Sequence, residues 1–173
     1  MRTFRFARGV CRILLHLGVH RRDILDDSLL GTLSPVQARL FLSMQRADQV
    51  HGLATAKKCQ KLAAQHGLAS ERRRLLLQTA LLHDVGKSVE SVGILARVVH
   101  GLPMEERWKA ILLSFSRRQG KQLLVLAAHA QLGADLLREA GSDAAVVAMV
   151  ADHHGPASQD ILLQILQTCD EQS

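Results

Sequence analysis

Apolar positions recur along this chain at the three-to-four-residue spacing of helices, and no stretch alternates with the period of two expected of a strand. Residues 1–22 set Phe4, Phe6, Val10, Ile13, Leu14 and Leu17 among Arg2, Arg5, Arg8, Arg12, Arg21 and Arg22, which predicts a basic, roughly amphipathic helix. A loop is expected over Asp23 to Thr32. Ser34-Pro35 then opens a helix, with Ser as N-cap and Pro in the first helical position, running to about Met44. A helix over 46–66 turns Val50, Leu53, Ala54, Cys59 and Leu62 inward and is stopped by Gly67. Ser70 is placed to cap the next, 71–83, whose dense apolar content marks it as central. Shorter helices are predicted over 94–99 and 103–115, the latter with Glu105 and Glu106 in its first turn. Three more follow: 121–140, closed by Gly141; Ser142 to His153, broken by Gly155-Pro156; and 158–169. The reading is an all-α, compact bundle of about eight helices, divided into an N-terminal basic helix and connector (1–33) and a main domain (34–173).

Composition agrees. Aromatics are only 3% and Tyr is absent, while Leu and Ala dominate, which favours helices over sheet. With 47% hydrophobic and 22% charged residues the chain has a globular profile, and 173 residues suffice for a real core. Charges or His interrupt every apolar run well short of about 18 residues, so no transmembrane helix is expected. No signal-peptide cleavage pattern follows Ile13-Leu14-Leu15. Cys11, Cys59 and Cys169 are odd in number and form no CxxC, as expected of reduced thiols in a cytoplasmic protein. The net charge of +6 favours anionic partners: phosphorylated small molecules, nucleic acid or an anionic membrane. The N-terminal basic helix suits either peripheral membrane contact or packing on the domain with a solvated basic face.

Chemistry concentrates at Leu81-Leu82-His83-Asp84-Val85-Gly86-Lys87, where an apolar run delivers an adjacent imidazole and carboxylate, both ligands for divalent metals. Neighbours on a helix point about 100° apart, so this pair reads as one corner of a site completed from other helices. Taken alone, the stretch is equally an ordinary helix C-terminus, where His, Lys and Gly are favoured. The other candidates break that tie. His51, His129, His153, His154 and Asp170 each fall on a predicted helix or helix end, and the helices of His129, His153-His154 and Asp170 are otherwise apolar or small. One buried His is usually a satisfied core residue. A set on the inner faces of successive helices is costly unless the groups pair or bind metal, and helical bundles gather ligands in this way. Gly133, one turn beyond His129, leaves room for a close approach.

The ordered set His51, His83-Asp84 and Asp170 resembles the HD-domain superfamily of metal-dependent phosphohydrolases. Its HDxGK signature is matched in full by His83 to Lys87, and the dinuclear subgroup's HxxxGA and His-His elements by His129 to Ala134 and by His153-His154. The resemblance spans roughly residues 34–170 and is closest to bacterial HD phosphohydrolases. It implies one or two divalent ions per chain (Fe, Mn, Co, Ni or Zn). His51, His83, Asp84 and Asp170 would hold the first, and Asp84 would bridge to a second held by His129, His153 and His154. It implies hydrolysis of a phosphoric ester, phosphomonoester or phosphodiester, in a nucleotide or similar small molecule by a metal-activated hydroxide, with Lys87 on the substrate phosphate. The Gly-Tyr-Pro element of the relatives that cleave cyclic dinucleotides is missing: Gly155-Pro156 follows His153-His154 directly.

The segment between Asp84 and His129 holds Trp108 and Phe115 beside Arg107, Lys109, Arg117, Arg118 and Lys121. It is expected either to cover the cleft and contact the anionic substrate, or to fill core and solvent with no such role. Scattered basic residues without interleaved aromatics argue against a nucleic-acid-binding protein. The alternative to catalysis is an HD-fold binding or signalling module with little turnover.

Overall fold

A computed structural model describes residues 28–90, 117–156 and 158–173. Six α-helices and two 3-10 turns account for nearly all of these residues, with no strand among them, so the fold is all-α. The helices are α1 (Pro35–Ser43), α2 (Arg46–Gln65), α3 (Ser70–Leu82), α4 (Arg117–Glu139), α5 (Ala144–Asp152) and α6 (Ile161–Gln172). The 3-10 turns are Ser28–Thr32 and Val85–Val89. The helices predicted over 1–22, 94–99 and 103–115 lie outside the described residues, as do Cys11, Trp108 and Phe115.

Local sequence chemistry sets the helix ends. Ser34 caps α1 with a full capping box: its hydroxyl accepts from the Gln37 amide and the Gln37 side chain accepts from the Ser34 amide. Gln49 reaches back from α2 to the last carbonyls of α1, donating to Met44 and Leu42 oxygens at 3.0 and 3.1 Å. α2 and α4 both stop at a glycine in the left-handed region, Gly67 (φ +60°) and Gly141 (φ +68°). The Leu68 and Ser142 amides then bond back to Ala63 and Leu137 oxygens at 3.0 and 2.9 Å.

Two expected serine caps give way, and the last helix starts late. Ser70 is itself the first residue of α3, and Ala69 takes the cap position without a side-chain bond. Ser142 does not cap α5: its hydroxyl accepts from the Gln37 side chain at 3.0 Å, and Asp143 accepts from the Ala145 amide instead. The last helix starts at Ile161, later than expected, because Asp160 is the acceptor for the Leu162 amide. It also runs to Gln172, so Asp170 lies inside its last turn rather than at its end. Part of the loop expected over Asp23 to Thr32 is the 3-10 turn Ser28–Thr32, whose Leu29 enters the core and whose Thr32 oxygen accepts from Gln78.

α3 is central. It packs against α1, α2, α5 and α6, and seven consecutive residues, Leu76 to Leu82, are buried. Over this C-terminal half the helix has no solvent face and cannot be amphipathic, which is why that part of its sequence reads as a block rather than a stripe. Phe41, Leu76, Leu81, Leu82, Val85, Leu137, Val146 and Leu166 form the innermost core. Burial of each contributes about 1.5–3 kcal/mol relative to exposure. Cys59 and Cys169 are buried free thiols in the same cluster. No described helix is long and apolar enough to cross a membrane.

Two glycines fix the distances between elements. A Cβ on Gly86, in the 3-10 turn after α3, would lie 2.0 Å from the His129 carbonyl oxygen and 2.6 Å from the Gly133 nitrogen of α4. The space left at Gly133 is thus filled by the Gly86 backbone. A Cβ on Gly52 of α2 would lie 2.9 Å from the Leu81 oxygen of α3. Gly86→Ala must therefore push the turn off α4, and we expect a loss of about 3 kcal/mol or more in urea unfolding. Gly31→Ala, where an added Cβ meets nothing within 4 Å, should stay within about 0.5 kcal/mol of wild type. Equal losses for the two variants would contradict the close approach.

Candidate metal centre

The end of α3 is where the site begins. His83 closes the helix in α-helical geometry, and at Asp84 (φ −96°, ψ 6°) the chain passes into the 3-10 turn. That break lets two neighbouring side chains converge. His83 Nε2 lies 3.6 Å from Asp84 Oδ2 although both residues are almost wholly buried.

From α2, His51 faces Asp170 of α6, Nε2 to Oδ1 at 2.7 Å. His83 Nε2 approaches the same oxygen at 3.3 Å and His51 Nε2 at 3.2 Å. These three side chains form one group whose ligand atoms all lie within 4.8 Å of one another, and His129, His153 and His154 form a second. In the second group, His154 Nε2 lies 3.1 Å from His129 Nε2. The His153 ring sits between the groups, its centroid 5.2 Å from that of His83 and 5.3 Å from that of His129. Asp84 joins them: Oδ2 faces His83 and Oδ1 lies 3.3 Å from His129 Nε2. All seven candidate ligands therefore meet in one place, drawn from α2, α4, α6 and the ends of α3 and α5.

Three of these histidines are oriented by one device. Nδ1 of His83, His129 and His153 lies 2.9, 2.6 and 2.7 Å from the carbonyl oxygen three residues earlier, on Ala80, Leu126 and Val150. A carbonyl oxygen only accepts, so Nδ1 carries the proton and Nε2 points inward; holding a ligating ring through its other nitrogen is how metal sites fix tautomer and direction. His153 Nε2 is buried with no hydrogen-bond partner. An orphaned buried ring nitrogen is costly unless something occupies its lone pair, and a cation between these rings does so. The residues fit a divalent metal in donor type, number and orientation.

The charges fit as well. Burial alone would raise the Asp84 carboxyl, but Lys87, His83 and His129 outweigh it and hold Asp84 well below the usual carboxylate range. Asp170 behaves likewise: burial is opposed by His83 and His51, and the carboxyl stays ionised far into acid. Burial would depress His83, yet the carboxylates of Asp84 and Asp170 raise it above the ordinary imidazole value. Burial, then the neighbouring His83 and His154, push His153 down to about 3. Burial and His129 bring His154 down to about 4. Lys87, three residues beyond Asp84, sets Nζ 2.6 Å from Asp84 Oδ2.

Some contributors were not foreseen from the sequence. The Gly52 contact lets α2 bring His51 up to His83, and its only trace in the chain is a small residue beside a candidate ligand. The three carbonyl anchors leave no trace, since any residue supplies a carbonyl. Of the basic residues placed over the cleft, Arg107 and Lys109 lie outside the described residues, while Lys121 is exposed near the start of α4.

An all-α fold with two His-containing groups around a shared Asp defines a class of metal-site helical proteins. The chain matches the HD domain family over residues 49–172, and it belongs to that family. Among curated proteins and among solved structures, nothing matches it.

The lowered values of His153 and His154 carry a pH consequence for the metal-free chain. The unfolded chain takes up protons on these rings near pH 6.5, whereas the folded chain does so only near 3 and 4. The unfolded state therefore binds more protons below pH 6.5, and stability falls from there toward pH 4. His83 works in the opposite sense, so the informative quantity is a difference between variants. Replacing His153 by Gln should recover about 1–2 kcal/mol of the stability that the wild type loses between pH 7 and 5, read from urea midpoints of chelator-treated protein. An identical pH slope in both proteins would contradict a neutral, buried His153.

Proposed function

We propose that this chain is a metal-dependent phosphoric ester hydrolase acting on a phosphorylated small molecule, in our reading a nucleotide, with residues 34–173 as the catalytic domain. What carries the reading is the position of Asp84, a buried carboxylate with one oxygen toward each of two His-containing groups. In this reading His51, His83, Asp84 and Asp170 hold one divalent ion, and Asp84 with His129, His153 and His154 a second. Ions bound there supply Lewis acidity and a water acidic enough to lose its proton near neutral pH. Fe, Mn, Co, Ni and Zn all suit such mixed ligands.

The chain's own groups do the rest. His83, His129 and His153 are held by their carbonyl anchors, so the site is organised before substrate arrives. Lys87, a mostly buried ammonium beside Asp84, is in reach of the phosphate and offsets charge on its oxygens. The water oxygen forms a bond to phosphorus as the ester P–O bond breaks in line; the leaving oxygen keeps that bond's electron pair and takes up a proton from solvent, and the proton lost by the water passes to solvent. The excess of basic over acidic residues in the chain favours an anionic substrate.

Elemental analysis of protein purified without chelator, paired with an aryl phosphate ester panel, tests this. Near two ions per chain with hydrolysis is the expected outcome, and Asp84→Ala should lose both. Hydrolysis by Asp84→Ala at the wild-type rate would rule out a shared carboxylate, and a wild type that retains metal but cleaves no ester would turn the reading to a binding or signalling module. Lys87→Ala should slow turnover by about 2–4 kcal/mol of barrier, as for other donors to developing charge; an unchanged kcat would leave Lys87 a helix-end residue.

A further inference from the structure

The two groups differ in charge. His51 and His83 share a carboxylate of their own, Asp170. His129, His153 and His154 are three imidazoles and contribute no negative charge. The carboxylate that the second group meets is Asp84, whose Oδ1 lies 3.3 Å from His129 Nε2; Lys87 lies 2.6 Å from Oδ2, the oxygen that faces His83, and so offsets the charge of the carboxylate that the two groups share. The contact is short and sheltered, with the Asp84 side chain 2% and the Lys87 side chain 11% exposed. It spans one 3-10 turn, which the Lys87 amide closes by bonding to the Asp84 carbonyl oxygen at 3.0 Å.

A dication entering the second group would lie beside an ammonium in a poorly solvated pocket, where repulsion is far stronger than in water. The same ammonium sits on a flexible four-carbon stem. An arriving phosphate offers it a second anionic partner.

Resting on the hydrolase reading above, we propose that Lys87 is a transferable counter-ion: it neutralises Asp84 while the site is empty of phosphate and moves to the phosphate when one binds. The second ion and the phosphate then bind cooperatively, and the coupling is reciprocal. The first ion has a further carboxylate, Asp170, that Lys87 does not offset, and depends far less on phosphate. The chain thereby keeps an incompletely loaded centre until an anion with phosphate chemistry arrives.

The test is Mn²⁺ titration of the chelator-treated full chain by calorimetry, with and without inorganic phosphate. Wild type should bind one ion tightly and a second weakly, the second strengthened by phosphate. Lys87→Gln should bind the second ion about tenfold tighter or more without phosphate, with a correspondingly smaller phosphate effect. Lys87→Arg, which keeps the charge, should preserve the wild-type pattern, and it maintains the ion pair should the neutral variant fold poorly. Phosphate bridging two ions directly would raise affinity in every variant, so the phosphate-free affinity is the deciding number. A second ion that binds Lys87→Gln no tighter than wild type overturns the counter-ion role and leaves the hydrolase reading standing. No ion bound by any of the three proteins overturns both.

Discussion

The carboxylate of Asp84 is the constraint around which the molecule is arranged. A carboxylate this deep is unfavourable by several kcal/mol unless its charge is answered, and here it is answered from three directions, by His83, Lys87 and His129. Each direction dictates a piece of architecture. His83 requires α3 to end where it does, Lys87 reaches back to Asp84 across the 3-10 turn, and His129 requires α4 to lie against that turn. Gly86 then follows from sterics, because the backbone that carries Asp84 and Lys87 runs too close to α4 for any side chain. The HDxGK sequence is a set of solutions to one packing and charge problem.

The histidine anchors show how a helical scaffold builds a directional site at little expense in specialised residues. The last carbonyls of a helix have no intrahelical partner, and the Ala80 and Val150 oxygens are of this kind, one near the end of α3 and one near the end of α5. A His at the helix end satisfies such an oxygen and gains a fixed ring. The Leu126 oxygen lies mid-helix and is shared with His129, so the same geometry recurs without a helix end.

Much of this was legible in the sequence, and the failures have physical causes. α1, α2 and α3 lie within about two residues of expectation, because Ser34-Pro35, Gly67 and the leucine block are strong local signals. Ser34 caps as expected, whereas Ser142 does not, because Asp143 is the better acceptor and Gln37 claims the Ser142 hydroxyl; Asp160 likewise sets the later start of α6. The seven His and Asp positions stood out because polar residues recurred on otherwise apolar helices. Their division into two groups around Asp84 was implied by the family resemblance; the contact of Lys87 with that carboxylate was not. It depends on the change of backbone geometry at Asp84, which no residue type announces.

The bond between His51 and Asp170 closes a span of 119 residues. Contacts so distant in sequence form only after loop-closure entropy has been overcome, which is the regime of slow, late events in folding. The first group of ligands is therefore complete only once α6 has packed against α2, and an ion there would be taken up by the finished fold. An ion bound at that seam would favour the native chain by mass action, so metal supply would then set not only how many molecules are charged with it but how many remain folded.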